Sequence, residues 1–189
     1  MPLDWPLTQD SVVVEVGGYE GRWSKEIAER YHPRLYVFEP QRWAYKQCRL
    51  RLWGLGVRVF NYGLGENDED NVSMGGWHTD GASFMTTRRS DNELEGPSQG
   101  RIREVGAVLN ELGISEIDLI QVNCEGCEFA LLPHMQRIGL IPRIHRLSVQ
   151  FHTPPDMPYL EADVDNIFRI MGQTHNPTQT AAFTLWTRR

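Results

Sequence analysis

Two hydrophobic periods alternate along this chain. An apolar run at 11–16, broken near its end by the acidic Glu15, has the look of a buried strand, and helical spacing follows at 21–31 in Arg22-Trp23-Ser24-Lys25-Glu26-Ile27-Ala28. The same pair recurs as a β-prone run at 35–38 and a helix over 41–53, stopped by Gly54 and Gly56. A third strand at 57–62 breaks at Gly63 and Gly65. Order returns with a helix over 103–112, a strand at 117–122, a helix over 129–138, a strand at 144–151, a helix over 159–171 and a strand at 182–186. Between 66 and 100 the pattern fails in a stretch rich in Asp, Asn, Ser and Gly. An insertion or lid is expected there, with a hairpin around 72–74 and 82–86, because so long an irregular stretch is usually functional or disordered.

Strands alternating with helices predict a doubly wound, mostly parallel Rossmann-like α/β sheet with right-handed crossovers and an antiparallel C-terminal edge. The chain of 189 residues fits one domain spanning 1–189. Ligands of such sheets bind at the carboxyl ends of the strands, so the residues just past each strand carry the chemistry.

The first of these edges reads Glu15-Val16-Gly17-Gly18-Tyr19-Glu20-Gly21. A dinucleotide fingerprint wants Gly-x-Gly-x-x-Gly, and Val16 stands where its first glycine would be. A carboxylate beside the turn repels a pyrophosphate. It suits S-adenosylmethionine (SAM), whose ammonium and sulfonium are cationic and whose carboxylate could be taken by backbone N–H groups at the helix start. The turn alone leaves a nucleotide open as well, and also a Glu15 that merely caps the turn. Glu39 closes the second strand 24 positions after Glu15, where an acid accepts hydrogen bonds from ribose hydroxyls. Paired with the glycine turn, that reading outweighs an exposed strand-end carboxylate before Pro40.

Past the strand at 117–122 lies Asn123-Cys124-Glu125-Gly126-Cys127-Glu128. Three readings compete for it. A thioredoxin-like Cys-x-x-Cys would sit here, but flanking glutamates raise thiol pKa values and weaken the nucleophile. A zinc site would need His134, His145 or His152, at no recognisable second spacing, so no metal is expected. The third reading is a polar patch of Asn123, Glu125 and Glu128 facing cofactor and substrate.

Taken together, the Glu15–Gly21 turn, Phe38-Glu39-Pro40 and the Ile117–Glu128 block resemble the FkbM-type family of SAM-dependent class I methyltransferases, over residues 11 to 152. The Glu125-Gly126-x-Glu128 block is the narrower signal. The resemblance implies that Glu15, Gly17, Gly18, Tyr19 and Gly21 hold the methionine part of SAM, Glu39 the ribose, and Asn61 lies near the adenosine. Asn123, Glu125 and Glu128 would line the meeting place of donor and acceptor. His152, closing the fifth strand, is a candidate general base on the same edge or a strand-end histidine with a structural hydrogen bond. His78 is a weaker candidate. Two departures stand out: Asn123 where the family usually has Asp, and Tyr19 where relatives often have Asn. Relatives also carry longer N-terminal extensions, so substrate capture is expected to rest on 66–100 or a second subunit.

Composition narrows the rest. A net charge of −6 argues against nucleic acid as a partner. No apolar run is long enough to span a bilayer, and the N-terminus has no secretory pattern. Three cysteines argue against a disulfide framework and for a reducing, cytoplasmic setting. The expected activity is O-methylation of a hydroxyl on a small molecule or sugar with SAM as cofactor. The alternatives are a non-catalytic methyltransferase-like assembly protein, motivated by Asn123, and a thiol redox protein using Cys124 and Cys127.

Overall fold

A computed structural model describes residues 2–74, 98–152, 160–180 and 182–189. In chain order the elements are β1 (Val12–Val16), α1 (Arg22–Tyr31), β2 (Arg34–Phe38), α2 (Arg42–Arg51), β3 (Arg58–Phe60), β4 (Gly63–Gly65), β5 (Glu69–Met74) and β6 (Ser98–Glu104). They continue as α3 (Val105–Glu111), β7 (Leu119–Val122), α4 (Glu128–Arg137), β8 (Arg146–Val149), α5 (Leu160–Met171), β9 (His175–Gln179) and β10 (Thr184–Arg188).

Every residue of β1 is buried, as happens at the centre of a parallel sheet covered on both faces. Among the described residues the main sheet runs β3-β2-β1-β7-β8-β10-β9. The pairs β1–β2, β2–β3, β1–β7 and β7–β8 are parallel, and β10 lies antiparallel to both β8 and β9. This is the doubly wound, mostly parallel sheet with an antiparallel C-terminal edge that the hydrophobic pattern predicts.

Alternation along the strands splits the core into two layers. Trp23 and Ile27 of α1 and Cys48 of α2 pack with Val13, Leu35, Val37 and Leu119 on one face. Val108 of α3, Leu131 and Met135 of α4 and Ile167 of α5 pack with Val14, Phe38, Ile120 and Val149 on the other.

Strands β4 and β6 lie outside the sequence expectation, while β5 takes in the 72–74 arm of the expected hairpin. Gly63–Gly65 pairs parallel with β6, β5 pairs antiparallel with β6, and the three strands form a small second sheet. The part of 66–100 expected to be irregular is therefore strand at both ends. The predicted hairpin segment 82–86 and His78 lie outside the described residues. The edge strand β9 also carries no alternating apolar signal; only His175 of its five residues is buried.

The register matters most for function. Val16, Phe38 and Phe60 pair across β1, β2 and β3, and Val16, Val122 and Val149 pair across β1, β7 and β8. Gly17, Glu39, Asn61 and Asn123 each lie one residue beyond this row, on one edge.

Candidate functional site

The glycine turn is built by close approach between chain segments. Gly17 has φ +86°, and a Cβ there would lie 2.0 Å from the Asn123 backbone oxygen. A Cβ on Gly18 would lie 2.2 Å from Val37 Cγ1, and one on Gly21 (φ +74°) 2.8 Å from Cys48 Sγ. Only glycine lets β1 turn so near the β7–α4 turn and α2.

The same tightness changes which groups are open to a ligand. The N–H groups of Gly17 and Gly18 both donate to the Phe38 carbonyl, at 3.0 and 3.2 Å, and that of Gly21 to the Gly18 carbonyl. The Tyr19 N–H donates to Glu39 Oε2 at 2.7 Å. These four amides hold the fold together and are not the carboxylate cradle expected of them. The donors left for an anionic group are those of the first turn of α1, whose first helical bond runs from Lys25 to Gly21.

Glu15 also differs from expectation. Only 2% exposed, its carboxyl lies beneath the turn and accepts a hydrogen bond from the Ser24 hydroxyl of α1. Burial pushes its pKa up, the Ser24 bond opposes this and the Glu39 charge adds to it, with the result at about 8. Glu39, 4% exposed, accepts N–H bonds from Tyr19 and Gln41, each at 2.7 Å. Burial outweighs those bonds and lifts its pKa to about 7. Asn61 Nδ2 donates to the carbonyls of Glu39 and Pro40 at 3.1 and 3.2 Å, so its amide fixes the strand-end turn that presents Glu39.

On the β7 side, Glu125 takes φ +54° and Gly126 φ +109°, which bends the chain sharply into α4. His152 sits between two carboxylates: Nε2 lies 3.0 Å from Glu125 Oε1, and Nδ1 3.2 Å from Glu128 Oε1. Its backbone N–H also donates to Glu128 Oε1 at 2.6 Å. Burial disfavours charge on this ring, but the hydrogen bonds and charges of Glu125 and Glu128 prevail and raise its pKa to about 9. The ring is thus cationic near neutral pH with both nitrogens engaged, which corrects its expected role as a general base. Glu128 has no exposed surface, whereas the Glu125 side chain keeps 25%.

Cys124 and Cys127 are joined by a disulfide, so the expectation of reduced cysteines fails at this pair; Cys48 is free and buried. The bridge spans a single turn and is a local staple.

Sequence reasoning passed over a buried polar row two residues below the edge. Glu15 pairs with Gln121 and Gln121 with Ser148 across adjacent strands, and Gln121 and Ser148 have no exposed surface. Among the described residues, Gln121 Nε2 and Oε1 and Ser148 Oγ have no hydrogen-bond partner, and neither has the buried Asn123 Oδ1. A polar residue inside an otherwise apolar strand was the available signal. Buried polar atoms in native proteins normally find partners, so an open acceptor at the sheet edge beside Gly17 marks a place for a donor.

Fold and site together define a Rossmann-like α/β protein whose ligand edge is formed by the ends of β1, β2, β3 and β7. Solved structures of the same fold include several methyltransferases. An rRNA methylase from Streptococcus thermophilus is 14% identical, with 96% of this chain and 89% of that chain covered at TM-score 0.54. A protein described as an O-methyltransferase from Klebsiella pneumoniae is 14% identical, covering 96% of this chain and 74% of that one at TM-score 0.55. A methyltransferase-like protein from Streptococcus mutans, solved in complex with SAH, is 11% identical, covering 97% and 91% at TM-score 0.56. No family model and no curated protein sequence matches the chain.

The rRNA methylase overturns the exclusion of nucleic acid. Net charge averages over the whole surface, while contact with a phosphate backbone depends on local charge. No described helix is long and apolar enough to cross a membrane.

Proposed function

We propose that the protein is a SAM-dependent methyltransferase of the FkbM type that methylates a hydroxyl on a small molecule or sugar. The observation carrying this reading is the direct joining of the three sequence blocks. Gly17 and Gly18 bond Phe38, Tyr19 bonds Glu39, and Gly17 abuts the Asn123 carbonyl. The residues fit the donor. Glu39 keeps spare lone pairs for ribose hydroxyls. Asn123 Oδ1, with no partner among the described residues, is an acceptor for an ammonium. The first turn of α1 offers N–H groups to a carboxylate. When bound, SAM supplies an electrophilic methyl on a sulfonium.

The chain's own part is alignment and proton handling. Glu125, the accessible carboxylate of the His152 pair, receives the acceptor hydroxyl and its proton. His152, fixed by Glu128 from strand end to helix start, orients Glu125. Calorimetry with SAM and SAH tests the cofactor assignment: binding to the wild type and at least about tenfold weaker binding to Glu39→Gln are expected, as for a lost hydrogen bond to a charged group. No heat with either ligand would sink the reading. Turnover is then assayed on hydroxylated small molecules and sugars alongside rRNA fragments. SAM binding without turnover on any of them would favour a non-catalytic protein, as Asn123 in place of Asp suggests.

A further inference from the structure

The outward face of α2 gathers charge and apolar surface that the methyl-donor site leaves unused. Ala44, Cys48 and Leu52 point inward and are buried. At 3.6 residues per turn, Arg42, Lys46, Arg49, Leu50 and Trp53 fall within an arc of about 100° on the opposite side. All five are exposed, Trp53 to 78% and Leu50 to 72%. Among the described residues the exposed large hydrophobics are these two and Ile138, so most of that surface lies on one stripe.

Helix stability accounts for only part of the stripe. Arg49 in the last turn complements the helix dipole, but Arg42 in the first turn opposes it, and no acid stands there. Arg42, Lys46, Arg49, Arg51 and Arg58 lie in the stretch 40–65, which holds none of the chain's 25 acidic residues. Arg51 is engaged by Glu20 at 3.3 Å. Arg42, Lys46 and Arg49 form no ion pair among the described residues. On a chain of net charge −6 this is a local positive stripe, and its complement is a polyanion.

We propose that this face of α2 docks single-stranded RNA, and that a ribose of the docked strand is the sugar methylated. Three cations in file along the helix suit the phosphates of a strand, and Trp53 offers a ring on which an unpaired base stacks. A duplex hides its base faces, so the strand is single. A bilayer fits less well, because the cations run the length of α2 while the apolar pair sits at one end. Position links the stripe to the ligand edge. The Gln41 N–H, just before α2, donates to Glu39 Oε1 at 2.7 Å. From Arg42 the stripe runs about 16 Å along the axis to Trp53, so a strand lying on it has one end at that edge. RNA carries a hydroxyl on every ribose and DNA does not; in that choice the inference rests on the function proposed above. In the transfer the ribose oxygen gains the methyl as the sulfonium–methyl bond breaks, the hydroxyl proton passes to Glu125, and SAH leaves.

Fluorescence anisotropy with a labelled, mixed-sequence RNA oligonucleotide tests the surface on the full chain. Across a salt series the logarithm of the affinity should fall with a slope of about −2, as for three phosphates of a single strand. Arg42→Gln, Lys46→Gln and Arg49→Gln combined should remove most of that slope. Trp53→Ala should keep the slope and bind about tenfold more weakly, as for a lost base stack. Circular dichroism checks that both variants are folded. The surface is refuted if both bind RNA as the wild type does. It is equally refuted if the wild type ignores RNA but pellets with phosphatidylserine vesicles, or dimerises, through these residues. Label from methyl-tritiated SAM should then enter total RNA and not heat-denatured DNA. With SAM bound and RNA unlabelled, RNA falls as the acceptor. With no SAM bound it is the proposed function that fails, and the anisotropy still decides the docking surface.

Discussion

Gly17 and Gly18 are neighbours with different tolerances. At Gly17 a methyl group meets a backbone oxygen at 2.0 Å, in a conformation of positive φ. At Gly18 it meets the end of the Val37 side chain, and φ is not positive. Gly17→Ala is therefore expected to cost at least about 2 kcal/mol and Gly18→Ala less, because side chains yield more readily than backbone. Denaturant melts of the two variants check the order; equal losses would show that the Asn123 turn moves freely. Glu15 and Glu39 give a pH dependence of known sign. Both carboxyls have folded pKa values raised from 4.5, to about 8 and about 7. As pH rises through that window the unfolded chain sheds protons that the folded chain keeps, so stability falls, and it levels off above about 8. Glu15→Gln should flatten most of this slope in thermal melts from pH 5 to 9. A cationic ligand favours the ionised carboxyls, so SAM binding near pH 7 should release protons. Calorimetry in two buffers of different ionisation enthalpy reads that release.

At the scale of elements, α3 depends on one side chain. Glu104 at its N-cap accepts from the N–H groups of Gly106 and Ala107 at 2.8 and 2.6 Å, and its Oε1 lies 2.7 Å from His134 Nε2 on α4. Burial works against its charge, yet these bonds hold its pKa below the usual value. Glu104→Ala should cost about 1–2 kcal/mol in urea melts at neutral pH. The loss should shrink as the pH falls toward Glu104's folded pKa, because protonation then weakens the wild-type cap as well. Helix α4 contains Pro133, which cannot donate to the carbonyl four residues back. The strands missing from the sequence reading share a trait. Gly63–Gly65, Ser98–Glu104 and His175–Gln179 have few β-branched or aromatic residues and no strict alternation. They become strands by pairing with a neighbour already in place, and Pro177 is tolerated because β9 is an edge.

For the whole molecule, a ligand that binds only the folded state raises its melting temperature by mass action. SAH at 100 times its dissociation constant should add about 2.7 kcal/mol, a shift of about 5–11 °C for a chain of this size. NAD and ATP at equal concentration should add nothing, since the turn lacks the pyrophosphate fingerprint. A larger shift with NAD would return the site to the dinucleotide class. The sheet order brings together segments far apart in sequence: β1 lies between β2 and β7, so residues 15–21 meet both 39–41 and 123–128.

The sequence by itself determined the alternation of strands and helices, the parallel sheet and the residues at its carboxyl edge, because buried parallel strands are continuous apolar runs and tight turns demand glycine. Tertiary structure decided which groups at that edge are free. It bound the turn amides to Phe38 and Glu39, buried Glu15 under Ser24, and held His152 between Glu125 and Glu128. Hydrogen bonding and burial are set by neighbours distant in sequence, and they fix a side chain's charge and reach; residue type and spacing carry neither.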